Sequence, residues 1–401
     1  MREGSDNSLS DKEKLDRLRL IRSQYVGPVT FHQLLSRFGT AAAALAALPD
    51  LARRGGRRSS PRLCSISQAE REFAAHEALG ARLIFYGEPS YPPRLTVTVD
   101  APPVLSAVGH LELLTKKAVG VVGARNASAN GCRFARQIAA ELGGSGYLIV
   151  SGMARGIDAA AHWGALGTGT VAVLGCGIDI TYPKQNLDLF AALHETGALI
   201  SELPPGTRPA ARHFPRRNRI ISGMARGIVV VEATPRSGSL ITARLAADQG
   251  REVFAVPGAA QDARGHGTNG LIRDGAVLTE SAADVLAVLD NMPQSIATRG
   301  RQPISAVALP ETRNNENLGT DDNADTSAKD GIDARGPTKD PTPAVHYAII
   351  AALGPSPTPL DDLIRASGAT SSEVATVLLE LELAGRVERH PGGRVSLLME
   401  T

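Results

Sequence analysis

From about Ala118 the chain alternates short aliphatic runs with stretches of helical periodicity. Val119 to Val122 ends at Gly123, Tyr147 to Val150 at Ser151-Gly152, and Val171 to Leu174 at Gly175. Ala198 to Ile200 ends at Ser201, Ile228 to Val231 at Glu232, and Val253 to Val256 at Pro257-Gly258. Helical stretches such as Phe134 to Leu142 and Ile157 to Leu166 lie between them. Runs that are apolar on both faces and separated by helices predict an α/β fold whose parallel sheet is covered on both sides. Such sheets bind ligands beyond the carboxyl ends of their strands, where this chain carries Gly, Ser and Arg.

The flanks read differently. Over residues 12–60, Leu15, Leu18, Leu20 and Ile21 make one helical face and Phe31, Leu34, Leu35 and Phe38 another, with Gly27-Pro28 marking a turn into a helix start. The stretch from Glu311 to Asp340 has one Leu, one Ile and no aromatic residue, too little apolar surface to offset ordering. Beyond it, Val345 to Leu353, Leu360 to Ser367 and Ser371 to Ala384 read as helices. Ser371 is expected to be a plain N-cap without a capping box. Val387 to Leu398 reads as a hairpin around Pro391-Gly392-Gly393, which completes a winged-helix pattern. The expected divisions are an N-terminal helical domain (1–62), the sheet domain (63–293), a polar disordered linker (294–342) and the winged helix (343–401).

Charge changes this picture through its placement. The formal net charge is +2, but arginines cluster at Arg53, Arg54, Arg57, Arg58 and Arg62 and again at Arg212, Arg216, Arg217 and Arg219, which suits a localised anion site. The three cysteines, Cys64, Cys132 and Cys176, show neither a disulfide framework nor metal-ligand spacing. Neither a signal core nor a membrane-spanning run is read, so a cytoplasmic protein is expected.

Four constellations at strand ends carry the candidate chemistry. Gly123-Ala124-Arg125 follows a strand and precedes a helix, whose N-terminus would suit a phosphate; an ordinary turn is the competing reading. Ser151-Gly152 opens a second loop, with Ser151 as a phosphate donor. Asp158 there is read as a helix-capping or structural carboxylate and His162 as a packed or capping histidine. The third is Phe214-Pro215-Arg216-Arg217-Asn218-Arg219. Pro215 is expected at N1 of a helix whose first turn holds three arginines, an arrangement that opposes the helix dipole unless an anion rests there. Phe214 would stack on a base; a core Phe beside a solvated basic face is the competing reading. The fourth, Arg236-Ser237-Gly238-Ser239, is read as an anion nest capping a helix. The Gly267 to Ile272 stretch is read as structural. The chain shows neither a Walker lysine motif, a nucleophile elbow, a zinc-binding HExxH nor paired carboxylates at one strand end. Catalytic residues, metal and cofactor are therefore each assigned as none.

Together these motifs resemble the DprA/Smf family of DNA-processing proteins. The resemblance lies in Gly123-Ala124-Arg125, in Ser151 to Asp158 (SGxAxGID), in Phe214 to Gly223 (FPxRNRIISG) and in Ser237 to Ala243 (SGSLxTA). It spans about Leu15 to Leu289, and the C-terminal unit is similar too. It implies a Rossmann-like central domain, a SAM-like N-terminal helical domain and a C-terminal winged helix. It further implies a non-enzymatic homodimer that binds single-stranded DNA through Arg125, Phe214, Arg217, Arg219 and Arg236, protects incoming DNA and loads RecA recombinase during natural transformation.

Two other functions are weighed. A LOG-like nucleoside-monophosphate phosphoribohydrolase shares such a sheet but places a catalytic Glu after a PGGxGT turn, where this chain runs Arg236-Ser237-Gly238-Ser239-Leu240. A transcriptional regulator would need a basic recognition helix, and Ser371 to Glu380 contains neither Arg nor Lys.

Overall fold

Strand polarity in the computed structural model follows the apolar runs: six of them pair in parallel at the centre of one nine-stranded sheet. The structure describes residues 9–57, 59–292, 341–390 and 393–398; the expected linker up to residue 340 and Pro391-Gly392 of the hairpin turn lie outside them. The described residues divide into two compact units. The first runs to Leu48 and again from Pro61; the second holds Pro49–Ser60 and the described residues beyond 340.

In the first unit the helices α1 (Asp11–Arg22), α2 (Pro28–Phe38), α3 (Ala41–Arg54, of which Pro49 onward belongs to the second unit) and α4 (Ile66–Ala78) precede the sheet. Pro28 occupies the first turn of α2, as the Gly27-Pro28 pair predicts. Leu18 of α1, Ala69 of α4, Phe85 and Val104 share a buried cluster. The sheet strands are β1 (Arg82–Phe85), β2 (Val104–Gly109), β3 (Ala118–Gly123), β4 (Leu148–Ser151), β5 (Thr170–Val173), β6 (Ala198–Ser201), β7 (Gly227–Val231), β8 (Glu252–Ala255) and β9 (Val277–Leu278). Their order is β1-β2-β6-β5-β4-β3-β7-β8-β9, with the β1–β2 and β2–β6 pairs antiparallel and the rest parallel.

Helices α5 (Ala129–Gly144), α6 (Ile157–Ala165), α7 (Leu187–Thr196), α8 (His213–Met224), α9 (Gly238–Asp248), α10 (His266–Arg273) and α11 (Ala282–Leu289) follow the strands they cover. Alternation along β3 divides the core. Val119 and Val121 pack against Ile138 and Leu142 of α5, Ile157 of α6 and Val285 of α11. Ala118 and Val122 share the opposite cluster with Ile220 and Ile221 of α8 and Ala243 of α9. The doubly covered parallel sheet expected from the sequence is therefore present, enlarged at one edge by β1 and β2.

The second unit contains α12 (Pro343–Ala352), β10 (Thr358–Pro359), α13 (Leu360–Ser367), α14 (Ser371–Leu383), β11 (Val387–His390) and β12 (Arg394–Leu397). Its three-stranded sheet has the order β10-β12-β11, and α13 ends on Gly368 in the left-handed conformation. The cap of α14 differs from the expectation. Thr370, not Ser371, is the N-cap, and it forms a capping box in which Glu373 Oε2 accepts the Thr370 amide at 2.9 Å.

Candidate nucleic-acid interface

The carboxyl ends of β3, β4 and β7 open onto a cleft of about 760 Å³ lined by Gly123, Ala124, Arg125, Asp158, Tyr182, Phe214, Arg217, Asn218, Ser237, Gly238 and Ser239 among others. A second chamber of about 480 Å³ shares Arg125, Tyr182, Phe214 and Arg217 and adds Gly152, Arg155 and Lys184.

Its ridge is aromatic and cationic. Phe214, on the first turn of α8, is half-buried. The Arg125 guanidinium carbon lies 5.3 Å from the Phe214 ring centroid, and the Tyr182 ring lies 5.6 Å away at 37°. Gly175 makes room for the ring: a Cβ there would come within 2.9 Å of Phe214 Cδ1. Beneath the ridge Arg217 is only 6% exposed. Its guanidinium lies across Gly152, where a Cβ would stand 1.3 Å from Nη1. Asp158 Oδ2 faces it at 4.0 Å and accepts the amides of Gly152 at 3.2 Å and Ala154 at 3.3 Å. Burial holds the Asp158 carboxyl above its usual range and pulls the Arg217 guanidinium below its own, so the attraction between them does not make up what each lost on leaving water. Arg217 Nε is buried without a hydrogen-bond partner. A cation held under-compensated at the floor of an open cleft gains from an arriving anion.

The expected site residues separate on this geometry. Gly123, Ala124, Arg125, Gly152, Phe214, Arg217, Asn218, Ser237, Gly238 and Ser239 line the two chambers. Asn218 Nδ2 donates to Gly238 O at 3.3 Å, tying α8 to the start of α9, and the Ser237 and Ser239 hydroxyls stand 2.7 Å apart. Arg216 and Arg236 are exposed and do not line either chamber.

Two expected roles are corrected. Arg219 is 8% exposed and turned away from the cleft: Nη2 donates to both carboxylate oxygens of Glu202, at 2.5 and 2.6 Å, and Nη1 to Asp100 O. Two residues along a helix is about 200° of rotation, which turns Arg219 to the face opposite Arg217, where Glu202 and Asp100 supply its counter-charge. Ser151 is fully buried and spends its hydroxyl on Val121 O at 2.6 Å, joining β4 to β3. Ser151→Ala is expected to lower unfolding free energy by about 1–2 kcal/mol, read by urea denaturation, and to leave anion binding unchanged.

Helix geometry is corrected too. α8 begins at His213 with Arg212 as N-cap, so Pro215 sits at the third helical position rather than the first. The N-terminus of α5, expected to be open to phosphate, is already occupied. Ser128 caps it, and the Glu232 carboxylate accepts both the Ser128 amide, at 2.8 Å, and its hydroxyl. Glu232 holds φ +53, which aims it across the strand end, and Gly131 leaves it space. Sequence reasoning passed over Glu232 because a strand-terminal Glu carries no local signal of that conformation. It also passed over Tyr182, whose signal was its place in a chain with few aromatic residues. His162 is packed as read: Thr170 Oγ1 donates to Ile149 O, leaving His162 Nδ1 to donate to it at 2.7 Å, and burial lowers the imidazole pKa to about 3.

Among the described residues no group of three or more His, Cys, Asp and Glu could hold a metal ion, and no helix is long and apolar enough to cross a membrane. A doubly covered, largely parallel sheet with an aromatic and arginine-lined cleft at its strand ends places the chain among Rossmann-like α/β proteins. Comparison with known proteins is specific. The family model for DNA recombination-mediator protein A matches residues 82–290, a DprA-like N-terminal HHH domain matches 11–75, and a DprA winged helix domain matches 333–393. Protein Smf of Synechocystis sp. is 36% identical over 80% of this chain and 81% of its own length. DNA processing protein DprA of Streptococcus pneumoniae is 45% identical over 49% of this chain and 70% of its own. The crystal structure of that DprA superposes with a TM-score of 0.59 at 35% identity, covering 70% of this chain and 99% of the other. The chain belongs to the DprA/Smf family of DNA recombination mediators.

Proposed function

We propose that the cleft at the carboxyl ends of β3, β4 and β7 holds single-stranded DNA without cutting it. In this reading the protein acts in the cytoplasm as a homodimer, protects incoming strands and loads RecA recombinase onto them during natural transformation. The working divisions are 1–62, 63–293, 294–342 and 343–401, and the strand is held by Gly123, Ala124, Arg125, Gly152, Phe214, Arg216, Arg217, Asn218, Arg236, Ser237, Gly238 and Ser239.

The observation that carries the reading is the ridge of Arg125, Phe214 and Tyr182 over the under-compensated Arg217, because aromatic faces stack on any base while guanidinium groups meet the backbone. Membership of a recombination-mediator family supports the hand-over to RecA. The exposed Arg216 and Arg236 are assigned to phosphates outside the chambers. The phosphoribohydrolase reading is not favoured. Asp158 Oδ2, in the cleft, accepts two backbone amides, and the Ser237-Gly238-Ser239-Leu240 turn carries no Glu after it where that family places its catalytic carboxylate.

The test is a mobility-shift titration with oligo-dT and its duplex. Single strands should bind in preference to duplex, with affinity falling steeply as salt rises. Phe214→Ala should cost about 1–3 kcal/mol of binding free energy, the value of one base–aromatic stack. An unchanged isotherm for Phe214→Ala, or adenine released from AMP, defeats the assignment. Light scattering in the same buffer reads the dimer, and RecA filament formation on coated strands reads the loading.

A further inference from the structure

The amino-terminal end of the sheet, opposite the cleft, gathers three arginines that the proposed function does not use. Arg226 precedes β7 and Arg251 precedes β8. Arg94 comes from the segment between β1 and β2. They meet at the C-terminus of α8. Arg251 Nη2 donates to Gly223 O at 3.1 Å and to Arg94 O at 2.8 Å, and Arg94 Nε donates to Ala225 O at 3.3 Å. Arg226 Nη2 donates to Met292 O at 3.3 Å.

Capping of α8 explains part of this, because a helix C-terminus carries about half a negative charge. It cannot balance three guanidinium groups. No carboxylate among the described residues lies within ion-pair distance of any of the three. Glu252, whose amide donates to Arg226 O at 3.3 Å, and Asp290, which accepts the Tyr147 hydroxyl at 2.7 Å, both lie near without pairing with any of the three. Arg226 and Arg251 are 6% and 5% exposed, and Arg226 Nε, Arg251 Nε and Arg94 Nη2 are buried without partners. Burial first, then the neighbouring guanidinium, pulls Arg251 down to about 10 and Arg94 below its ordinary value. Elsewhere in the same unit buried arginines have counter-ions: Arg219 has Glu202, and Arg217 has Asp158. Arg94, half-buried, gives the cluster its opening to solvent.

We propose that Arg94, Arg226 and Arg251 form a second oxyanion site, at the amino-terminal end of the sheet, that takes a phosphoryl group. Arg94 meets the ligand, while Arg226 and Arg251 supply field from behind. The site is independent of the cleft, so its test is run in a cleft variant as well.

The experiment is equilibrium dialysis of the full chain against radiolabelled inorganic phosphate in chloride buffer, for wild type, Arg125→Ala, Arg94→Gln and Arg94→Lys. Wild type and Arg125→Ala should both bind, while Arg94→Gln weakens binding at least tenfold and Arg94→Lys, which keeps the charge, weakens it less. Repeating the dialysis with a 5′-phosphorylated trinucleotide distinguishes free phosphate from a nucleic-acid phosphate; dependence on Arg94 in either arm supports the site. Equal binding by wild type and Arg94→Gln in both arms overturns it, as does binding lost in Arg125→Ala but kept in Arg94→Gln. Far-UV circular dichroism of Arg94→Gln should match wild type, and if that variant is misfolded, failure of the folded Arg94→Lys to weaken binding overturns the proposal.

Discussion

Arg217→Met should lose both strand binding and fold stability, and the stability loss should depend on pH. Removing the guanidinium leaves Asp158 buried without its facing cation, a change that costs roughly 3–5 kcal/mol when a buried pair is broken. Burial already holds the Asp158 carboxyl above its ordinary value, and Arg217 is the largest influence opposing that rise. The variant should raise it further. A carboxyl raised in the folded state favours folding in its protonated form, and that contribution is lost as pH climbs through its folded value. The stability gap between Arg217→Met and wild type should therefore be widest near neutral pH and narrow toward acid, where Asp158 takes up a proton. Chemical denaturation of both proteins at a series of pH values between neutral and about 4 measures the gap. A gap of constant size would show that Asp158 is not the group left exposed by the change.

Gly123→Ala should be the more damaging of the glycine substitutions at the rim. A Cβ there would lie 1.8 Å from Val231 O and 2.6 Å from Ile157 Cγ1. The first is backbone of the paired strand β7, where Gly123 and Val231 are in register, so the obstacle cannot rotate away. Overpacking of this kind costs about 3 kcal/mol or more, which for a domain of this size is a fall in melting temperature of roughly 6–12 °C. At Gly152→Ala the three nearest atoms are all of the Arg217 guanidinium, so the change should displace that side chain and leave the strands in place. Thermal melts monitored by circular dichroism separate the two: a Gly123→Ala protein melting with wild type would mean that β3 and β7 can part at their ends without penalty.

The central strands were readable because each is buried on both faces and so consists almost wholly of Val, Ile, Leu and Ala. β1, with Arg82 exposed at its start, and β2, with Ser106 inside it, offered no such run, and the antiparallel pairing of β1 on β2 and of β2 on β6 is displayed only by the folded chain. Strand-end chemistry was partly readable. Gly, Ser and Arg mark a rim, and the ridge of Arg125 and Phe214 lies there. Composition could not say which way each arginine turns. Arg217 and Arg219 are two residues apart on one helix, yet one floors the cleft and the other is consumed by Glu202 and Asp100. Ser151 looked like a phosphate donor by position, but on a fully buried strand its hydroxyl had to find a carbonyl. Thr370 was passed over for Ser371 because both can cap, and the capping box with Glu373 is decided by a one-residue difference in register.

The carboxylate of Glu232, latched onto the start of α5, gives the rim an uneven electrical profile. On one side the Glu232 carboxylate occupies the start of α5, where a phosphate would otherwise settle; on the other stand Arg125, Arg217 and the amide and hydroxyl groups that open α9. A strand bound as proposed is expected to be pushed from one bank and drawn to the other, its course narrowed to a single lane beside α8 and α9.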